Sequence, residues 1–212
     1  AKQRQYLVAL TQMTYPGAPT IYYGDEIGMV GADDPDDRRA MEWGKGSKDL
    51  VEWYAKLGAI RNAYPVLRTG GIEPFTVMDG TEVDDHLMGY LRTMNDEFAC
   101  VVLNNASEDA IRQIEVPEGA AKVTDVISGK EYIVGADGTC EVSVPAFRGV
   151  VLIPSEQVKE VNVNYEALKP AYDSSYIVED SDVVLVKDIF EDVQGGEWFG
   201  SYVQYVYDHG YM

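Results

Sequence analysis

One short segment, residues 15–26, constrains the fold of this chain more than any other, because it joins a helix stop, a strand and a polar loop in that order. Apolar side chains recur before it at helical spacing, and Pro16-Gly17 then ends that helix. A run of β-branched and aromatic residues follows, and a glycine directly precedes two carboxylates. A parallel α/β barrel carries its chemistry at the C-terminal ends of its strands, so this order fits a β-strand that delivers polar groups to an active-site rim.

Residues 17–26 read GAPTIYYGDE. This run resembles the eighth strand of the α-amylase family of glycoside hydrolases, which carries the pattern G-x-P-x-[IV]-Y-Y-G-[DE]-E. The resemblance extends through residues 33–43, whose pattern is similar to the neopullulanase, cyclomaltodextrinase and maltogenic amylase branch. Taken one at a time, these residues would also suit a structural loop in an unrelated α/β protein. Taken as one continuous run, they favour the α-amylase family.

The length of the chain predicts that the barrel is incomplete. A whole barrel takes about 250 residues, and this chain has 212. The chain opens on Ala1 inside a helical pattern, without an initiator Met or a signal segment, so we expect it to be part of a longer polypeptide. Charged residues interrupt every hydrophobic stretch, so we expect no membrane-spanning segment.

The patterns divide the chain into four parts and predict an α/β fold followed by an all-β fold. The resemblance implies that residues 1–69 are the end of a catalytic (β/α)8 barrel, with its last strand and flanking helices. After this part the periodicity changes from helical to alternating, which predicts an antiparallel β-sandwich over residues 70–154. Residues 155–187 are interpreted as an acidic linker. Residues 188–212 resemble the truncated start of an S-layer homology module.

The predicted elements of the first two parts include a helix that has Ser47 as a possible N-cap and Pro65 as its stop. Its apolar face is interpreted as core: Leu50, Trp53, Tyr54, Leu57, Ile60 and Tyr64. The strands are predicted at Ile72–Met78, Leu87–Thr93, Phe98–Leu103, Ala110–Val116, Lys122–Ile127, Glu131–Val134, Cys140–Val144 and Val150–Ile153. Hairpin-prone turns lie at Asn104-Asn105, Ser128-Gly129 and Ala136-Asp137-Gly138.

The net charge of −19 excludes a nucleic-acid partner, because binding phosphates requires clustered Lys and Arg. An acidic surface of this kind is usually just solvated. Cys100 and Cys140 both fall in predicted strands and can pair only if those strands are neighbours, and free buried thiols are at least as consistent with the pattern. There is no cluster of His and Cys that would indicate a transition-metal site.

Catalytic carboxylates are not expected in this chain. Hydrolysis of a glycosidic bond needs a nucleophile and a general acid, and the resemblance implies that these residues, with a third catalytic Asp, lie upstream of Ala1. The chain has only two histidines, and His86 beside Asp84-Asp85 is interpreted as a turn residue. We expect the chain alone to be inactive.

The candidate sugar-binding residues lie one loop further on. Asp34 and Arg38 match a D-P-x-x-R pattern that, in the resembled branch, places an acid and a guanidinium beside the cleavage point. Both groups can bind adjacent sugar hydroxyls, although an i,i+4 surface ion pair is the alternative. The rim of the site is predicted to have a structural role and comprises Tyr22, Tyr23, Gly24, Asp25 and Glu26. The two tyrosines are expected to alternate between barrel interior and helix layer, and the acids to accept backbone N–H groups.

The resemblance therefore implies a secreted bacterial hydrolase that cleaves α-glucosidic bonds in starch, maltodextrin or pullulan by a retaining mechanism. Its partners would be the α-glucan substrate and a cell-wall polymer bound through S-layer homology modules, which implies an extracellular, cell-surface location. No cofactor is expected in this chain: the acids at 33, 36 and 37 lack an EF-hand pattern, although calcium is possible in the longer protein. The alternatives are a non-catalytic glucan-binding or cell-wall protein and a transglycosylating or isomerising relative.

Overall fold

Three helices cover one face of a six-stranded antiparallel sheet in the computed structural model, which describes residues 2–176. The helices are α1 (Lys2–Thr14), α2 (Lys48–Ala63) and α3 (Pro65–Thr69), and a short α4 (Lys169–Tyr172) follows the sheet. The structure also contains 3₁₀ turns at Asp36–Arg38, Ser155–Gln157, Tyr165–Leu168 and Ser174–Tyr176. None of the helices described for residues 2–176 has both the length and the apolar character that a membrane crossing requires.

All eight predicted strands are present, and every strand pair is antiparallel. The strands are β1 (Gly71–Phe75), β2 (Met78–Asp79), β3 (Glu82–Val83), β4 (Leu87–Met94), β5 (Glu97–Asn104), β6 (Ala110–Glu115), β7 (Lys122–Asp125), β8 (Glu131–Ile133), β9 (Thr139–Val144) and β10 (Gly149–Pro154). The large sheet has the order β1-β4-β5-β10-β7-β8, β6 pairs with β9, and β2 pairs with β3. Pro74 lies in the edge strand β1, where a missing backbone donor is tolerated.

The barrel strand predicted within residues 15–26 is absent from the structure. A strand of a parallel sheet needs backbone partners on neighbouring strands, and no segment among residues 2–176 pairs with this one. Side chains of α1 bind its backbone instead: the Gln12 amide donates to the carbonyl of Thr20, and the Gln5 amide donates to that of Asp25. The segment therefore lies along α1 without regular secondary structure.

The central strands of the large sheet are buried on both faces. On β5, Val101 and Leu103 face the helices, whereas Cys100 and Val102 face the β6–β9 pair. The cluster on the helical side contains residues from α1, α2, α3 and the sheet. The predicted boundary between residues 69 and 70 therefore crosses one shared core, and the layers are helix, large sheet and small sheet.

The two cysteines are free thiols in the core between the sheets. Burial raises the pKa of Cys100, and it raises the pKa of Cys140 to about 11. Both thiols are therefore protonated near neutral pH. This arrangement matches the free-thiol interpretation of the sequence.

Two of the three predicted hairpin turns join different sheets. Ser128-Gly129 lies between the paired strands β7 and β8, with Gly129 at φ +79°. Asn104 instead begins the passage from β5 in the large sheet to β6 in the small one, and Gly138 lies in the passage from β8 back to β9. The buried Asn104 amide donates to the carbonyls of Glu108 and Val144 and therefore links the sheets.

The helix predicted to stop at Pro65 ends at Ala63, as expected, and Pro65 then begins a second, short helix. The fixed φ and missing N–H of proline suit the first turn of a helix, so Pro65 begins α3 immediately after α2 ends. Ser47 is at the N-cap position of α2 but makes no capping hydrogen bond through its side chain. Tyr54 and Tyr64 are buried, whereas Trp53 is only partly buried and packs at the edge of the core.

Residues 155–176, predicted as part of an acidic linker, pack back against α2. Val161 packs against the helical core, and the 3₁₀ turn Tyr165–Leu168 follows. The packing supplies an apolar contact and backbone partners that a solvated linker lacks. The remainder of the predicted linker, from residue 177, and the S-layer-like residues 188–212 lie outside the described residues.

Two arginines are buried among backbone carbonyls. Arg92 is fully buried and donates to the carbonyls of Thr14, Leu67, Gly70 and Gly71. These carbonyls lie at the C-terminal ends of α1 and α3 and at the start of β1. A helix leaves its last carbonyls without intrahelical donors and carries partial negative charge at that end, so a guanidinium suits this place.

Arg61 performs the same task from α2. It donates to the carbonyls of Met13, Tyr15, Gly17 and Leu67. Burial lowers the pKa of both arginines, and the nearby positive charge of Arg61 lowers the pKa of Arg92 further, but an Arg side chain stays charged at any ordinary pH. The two guanidiniums share one carbonyl, that of Leu67.

We predict that Arg92→Met destabilises the 212-residue chain by at least about 3 kcal/mol, because it leaves several buried carbonyls without donors. Unfolding in guanidinium chloride, followed by circular dichroism, measures the loss in free energy of unfolding. Arg4→Met is the matched control, since Arg4 is exposed on α1 and should change the free energy of unfolding by less than about 0.5 kcal/mol. Equal stabilities of the two variants would contradict the capping role of Arg92.

Candidate functional site

The turn at residues 22–29 is closed by hydrogen bonds among its own residues. The backbone N–H groups of Asp25 and Met29 donate to the carbonyls of Tyr22 and Gly24, at 3.0 and 2.9 Å. The Glu26 carboxylate accepts the N–H of Gly24 at 3.0 Å. Gly24 has φ +96°, and a Cβ there would lie 2.7 Å from the sulfur of Met29, so the turn requires glycine.

Tyr22 and Tyr23 lie side by side on the surface. Their ring centroids are 4.8 Å apart with an interplanar angle of 41°, and about half of Tyr22 is exposed. The expected alternation between barrel interior and helix layer is therefore not found. It requires a strand, whereas Tyr22 has no regular secondary structure and Tyr23 lies in a turn.

The loop that carries the candidate sugar-binding residues, residues 28–46, is called here the site loop. Its base is closed by a hydrogen bond from the N–H of Ser47 to the carbonyl of Ile27, at 3.1 Å. Asp34 and Arg38 project from it and form an ion pair with each other, with about two thirds of each side chain exposed. The pair predicted as the surface alternative is thus present, and its polar atoms also remain open to solvent.

Asp36 holds the tip of the site loop together. Its carboxylate accepts the backbone N–H of Ala32 at 2.7 Å and pairs with Arg39 at 2.5 Å. The Ala32 N–H, followed by Arg39, lowers the pKa of the Asp36 carboxyl. The tip is therefore a small, internally bonded unit that keeps Asp34 and Arg38 on one exposed side.

A metal site is not formed by the acids of this loop. Among residues 2–176, no group of three His, Cys, Asp or Glu side chains lies together in a way that could hold a metal ion. Asp36 is engaged by Arg39, and Asp34 by Arg38. Both carboxylates therefore already have cationic partners.

His86 lies at a second polar place, at one end of the sandwich. Its backbone N–H donates to the Asp84 carboxylate at 2.9 Å, and Arg112 from β6 pairs with the same carboxylate at 2.7 Å and with Asp79 at 2.8 Å. An open cavity of about 390 Å³ adjoins these residues. Burial of Asp84 acts to raise the pKa of its carboxyl, but the His86 N–H and Arg112 outweigh burial and lower it. The ion pairs fasten the β2–β3 hairpin to β6.

Sequence reasoning missed the groups that hold the site loop in place. Gly44 and Gly46 donate backbone N–H groups to the carbonyls of Pro170 and Ala171, at 2.8 and 2.9 Å. The two glycines in the letters WGKGS were the only available signal. Their partners come from a segment more than a hundred residues later, which no local pattern indicates.

Similarity to known proteins covers most of this chain, although no family model matches it. The chain is 36% identical over 160 residues to an amylopullulanase of Thermoanaerobacter thermohydrosulfuricus, covering 72% of this chain and 11% of that protein. It is also 36% identical over 149 residues to neopullulanase 2 of Thermoactinomyces vulgaris, covering 69% of this chain and 25% of that protein. The chain thus spans a quarter or less of these relatives.

The fold is shared with part of a solved α-amylase from Anoxybacillus, with a TM-score of 0.62 and 25% sequence identity. The superposition covers 72% of this chain and 32% of that one. The antiparallel β-domain and the helices that cover it therefore have the arrangement found in part of an α-amylase structure.

We predict that Asp84→Asn lowers the free energy of unfolding at pH 7 by about 1–3 kcal/mol, because the Arg112 and His86 donors lose a charged acceptor. The folded-state pKa of Asp84 lies below the unfolded value, so this stabilisation is present above about pH 4 and is lost as the pH falls through the lowered folded-state pKa. Urea unfolding of the unchanged chain and of Asp84→Asn, between about pH 2.5 and 7, measures the difference between their free energies of unfolding.

Asp79→Asn is the control for this prediction. Asp79 pairs with the same guanidinium but is largely exposed, so its loss should cost less than about 1 kcal/mol. If the difference in free energy of unfolding between Asp84→Asn and the unchanged chain stays constant down to about pH 2.5, the lowered pKa of Asp84 does not contribute to stability as predicted.

Proposed function

We propose that this chain is part of an α-amylase-family glycoside hydrolase that cleaves α-glucosidic bonds in starch, maltodextrin or pullulan. The observation that carries the proposal is the sequence likeness to an amylopullulanase and a neopullulanase 2 over about seven tenths of the chain. The fold shared with part of an α-amylase and the GAPTIYYGDE run support it independently.

The chain contributes one wall of the sugar site and none of the catalytic groups. A retaining mechanism needs a nucleophile and a general acid about 5–5.5 Å apart. The resemblance assigns these carboxylates to earlier barrel strands, so we place them in the longer protein and outside residues 1–212. The whole protein then carries out the hydrolysis, and this chain positions its substrate.

Asp34 and Arg38 have the chemistry and the exposure for that role. A carboxylate accepts hydrogen bonds from sugar hydroxyls, and a guanidinium donates hydrogen bonds in a fixed plane. Each group already has a charged partner in the other, so a bound sugar has to contact the pair without leaving either charge unpaired. Contact with both residues therefore favours a glucose unit with two adjacent hydroxyls over a single hydroxyl.

An exposed apolar strip beside the turn supports the presence of a larger barrel around this chain. Ile21 and Tyr22 are 40% and 54% exposed, and they lie in a segment without secondary structure that pairs with no strand among residues 2–176. Exposed apolar side chains next to unpaired backbone favour burial against another part of a protein. We propose that this strip packs into the rest of the (β/α)8 barrel, where residues 18–23 become its closing strand.

The location of the whole protein is proposed from the resemblance at its C-terminal end. Residues 188–212 would begin an S-layer homology module that binds a bacterial cell-wall polymer, which places the enzyme outside the cell. We also propose that calcium is possible in the longer protein; among residues 2–176, no three His, Cys, Asp or Glu side chains lie together in a way that could hold a metal ion.

The second candidate function is that of a non-catalytic cell-surface protein that binds glucan or builds the wall. The exposed Asp34–Arg38 pair suits glucan binding without hydrolysis equally well. The sequence immediately before Ala1 separates the two functions. An Asn-His-Asp segment there, with an Asp and a Glu further upstream, supports the hydrolase, and substitution of those acids favours the binding protein.

We predict that Asp34→Asn in the full-length enzyme raises KM for maltohexaose about tenfold and leaves kcat within about twofold. The change removes one charge-assisted hydrogen bond, worth about 1.5 kcal/mol, that is made equally in the bound substrate and the transition state. Initial rates of reducing-sugar release measure both constants.

Glu52→Gln is the matched control for Asp34→Asn. Glu52 and Lys48 form another exposed i,i+4 ion pair, on α2 and at 3.6 Å. If the two variants have the same KM, the Asp34–Arg38 pair is a surface ion pair without a role in binding.

We also predict that the purified chain of 212 residues releases no reducing sugar from maltodextrin above the buffer rate, because it lacks the nucleophile and the acid. Incubation at high protein concentration for a day makes the measurement sensitive. Release at enzymatic rates would show that the catalytic carboxylates lie within this chain.

A further inference from the structure

The segment after the last strand forms a continuous strap along α2. This strap, residues 158–176, leaves β10 and packs its 3₁₀ turn and α4 against that helix. Near its start, the backbone N–H of Lys159 donates to the hydroxyl of Tyr64 at 2.8 Å, and the Lys159 ammonium lies 3.6 Å from Glu97. Tyr64 is buried, so the strap is fixed to the core at this end.

The strap also has internal bonds that keep its shape. Asn164 accepts the N–H of Ala167, and Asp173 accepts the N–H and the hydroxyl of Ser175 at 3.0 and 2.7 Å. Lys169 pairs with Glu166 at 2.5 Å. These local bonds give the strap a defined path towards the site loop.

Three segments of the chain meet where the strap ends. The carbonyls of Pro170 and Ala171 accept the N–H groups of Gly44 and Gly46. A Cβ at Gly46 would lie 2.6 Å from the Ala171 carbonyl oxygen and 2.9 Å from Cβ of Ile27. Both limbs of the site loop and the strap are therefore in close contact at one glycine.

The position of the loop tip depends on this contact. The tip is bonded within itself through Asp36, and its backbone at Gly31 lies close to Asp37, so it forms one internally bonded unit. The hydrogen bonds at Gly44, Gly46 and Ser47 hold the base. Two of these three bonds are made to the strap.

We propose that the strap is a positioning element of the sugar site: it holds Gly44 and Gly46, and through them it sets where Asp34 and Arg38 meet the substrate. The role in substrate binding rests on the proposed function, whereas the hold on the loop does not. The described hydrogen bonds of Tyr64 join it to Lys159 of the strap and to no residue of the site loop. Tyr64 is therefore a positioning residue that acts on the loop through the strap.

Two variants of the 212-residue chain test the strap from opposite ends. Gly46→Ala places a methyl group against the Ala171 carbonyl, and Tyr64→Phe removes the acceptor for the Lys159 N–H while it keeps the aromatic ring in the core. Gly58→Ala is the matched control, because a Cβ at this helical position meets nothing within 4 Å. If Gly46→Ala fails to fold, Tyr64→Phe alone decides.

Two measurements are made on each variant: amide hydrogen exchange of residues 28–46, and the Kd of maltohexaose by titration with detection by NMR. We expect exchange in the site loop to speed up about tenfold in Gly46→Ala and about threefold in Tyr64→Phe, while the amides of β5 keep their rates. The Kd should rise by similar factors, and Gly58→Ala should change neither quantity.

The outcomes separate the strap from the sugar site. Unchanged loop exchange in both test variants overturns the proposal, whatever the affinity does. Faster loop exchange together with weaker maltohexaose binding supports it. A third outcome is faster loop exchange together with a maltohexaose Kd that Asp34→Asn leaves unchanged. It would overturn the sugar-binding role of the loop and the role of the strap in substrate binding. Only the hydrogen bonds by which the strap holds the loop would then remain of the proposal.

Discussion

The shared carbonyl of Leu67 is the point on which the arrangement of this molecule depends. Arg61 from α2 and Arg92 from β4 both donate to it, and their other donors bind the ends of α1 and α3 and the start of β1. A guanidinium with five donors in a rigid plane can join several backbone segments at once. The helices are thereby attached to the sheet through charge as well as through apolar packing.

The same bonds set the starting point of the functional region. Arg61 holds the carbonyls of Tyr15 and Gly17 where the chain leaves α1, and the amides of Gln12 and Gln5 then hold residues 20 and 25. The turn at Gly24 and the base of the site loop come next in the chain, and the strap, from residues 158–176, binds that base. Side-chain hydrogen bonds thus hold this segment, whereas backbone hydrogen bonds between strands hold the sandwich. The segment itself pairs with no strand among residues 2–176.

This arrangement shows how the helices are carried by the β-domain. The helices α1 and α2 pack their apolar faces into one core with the large sheet. The site loop is anchored on α2 and the strap, both of which belong to the same body as the sheet.

The sequence by itself determined the local elements, and only the tertiary structure decided how they meet. Alternating apolar residues and turn residues located all eight large strands, helical spacing located α1 and α2, and the GAPTIYYGDE run indicated the family, because these signals depend on neighbours within a few residues. The structure decided which strands share a sheet, that residues 18–23 lie along α1, that residues 158–176 are a strap, and that Arg61 and Arg92 cap helices. Each of these features joins segments far apart in the chain, and a local period carries no information about its distant partner.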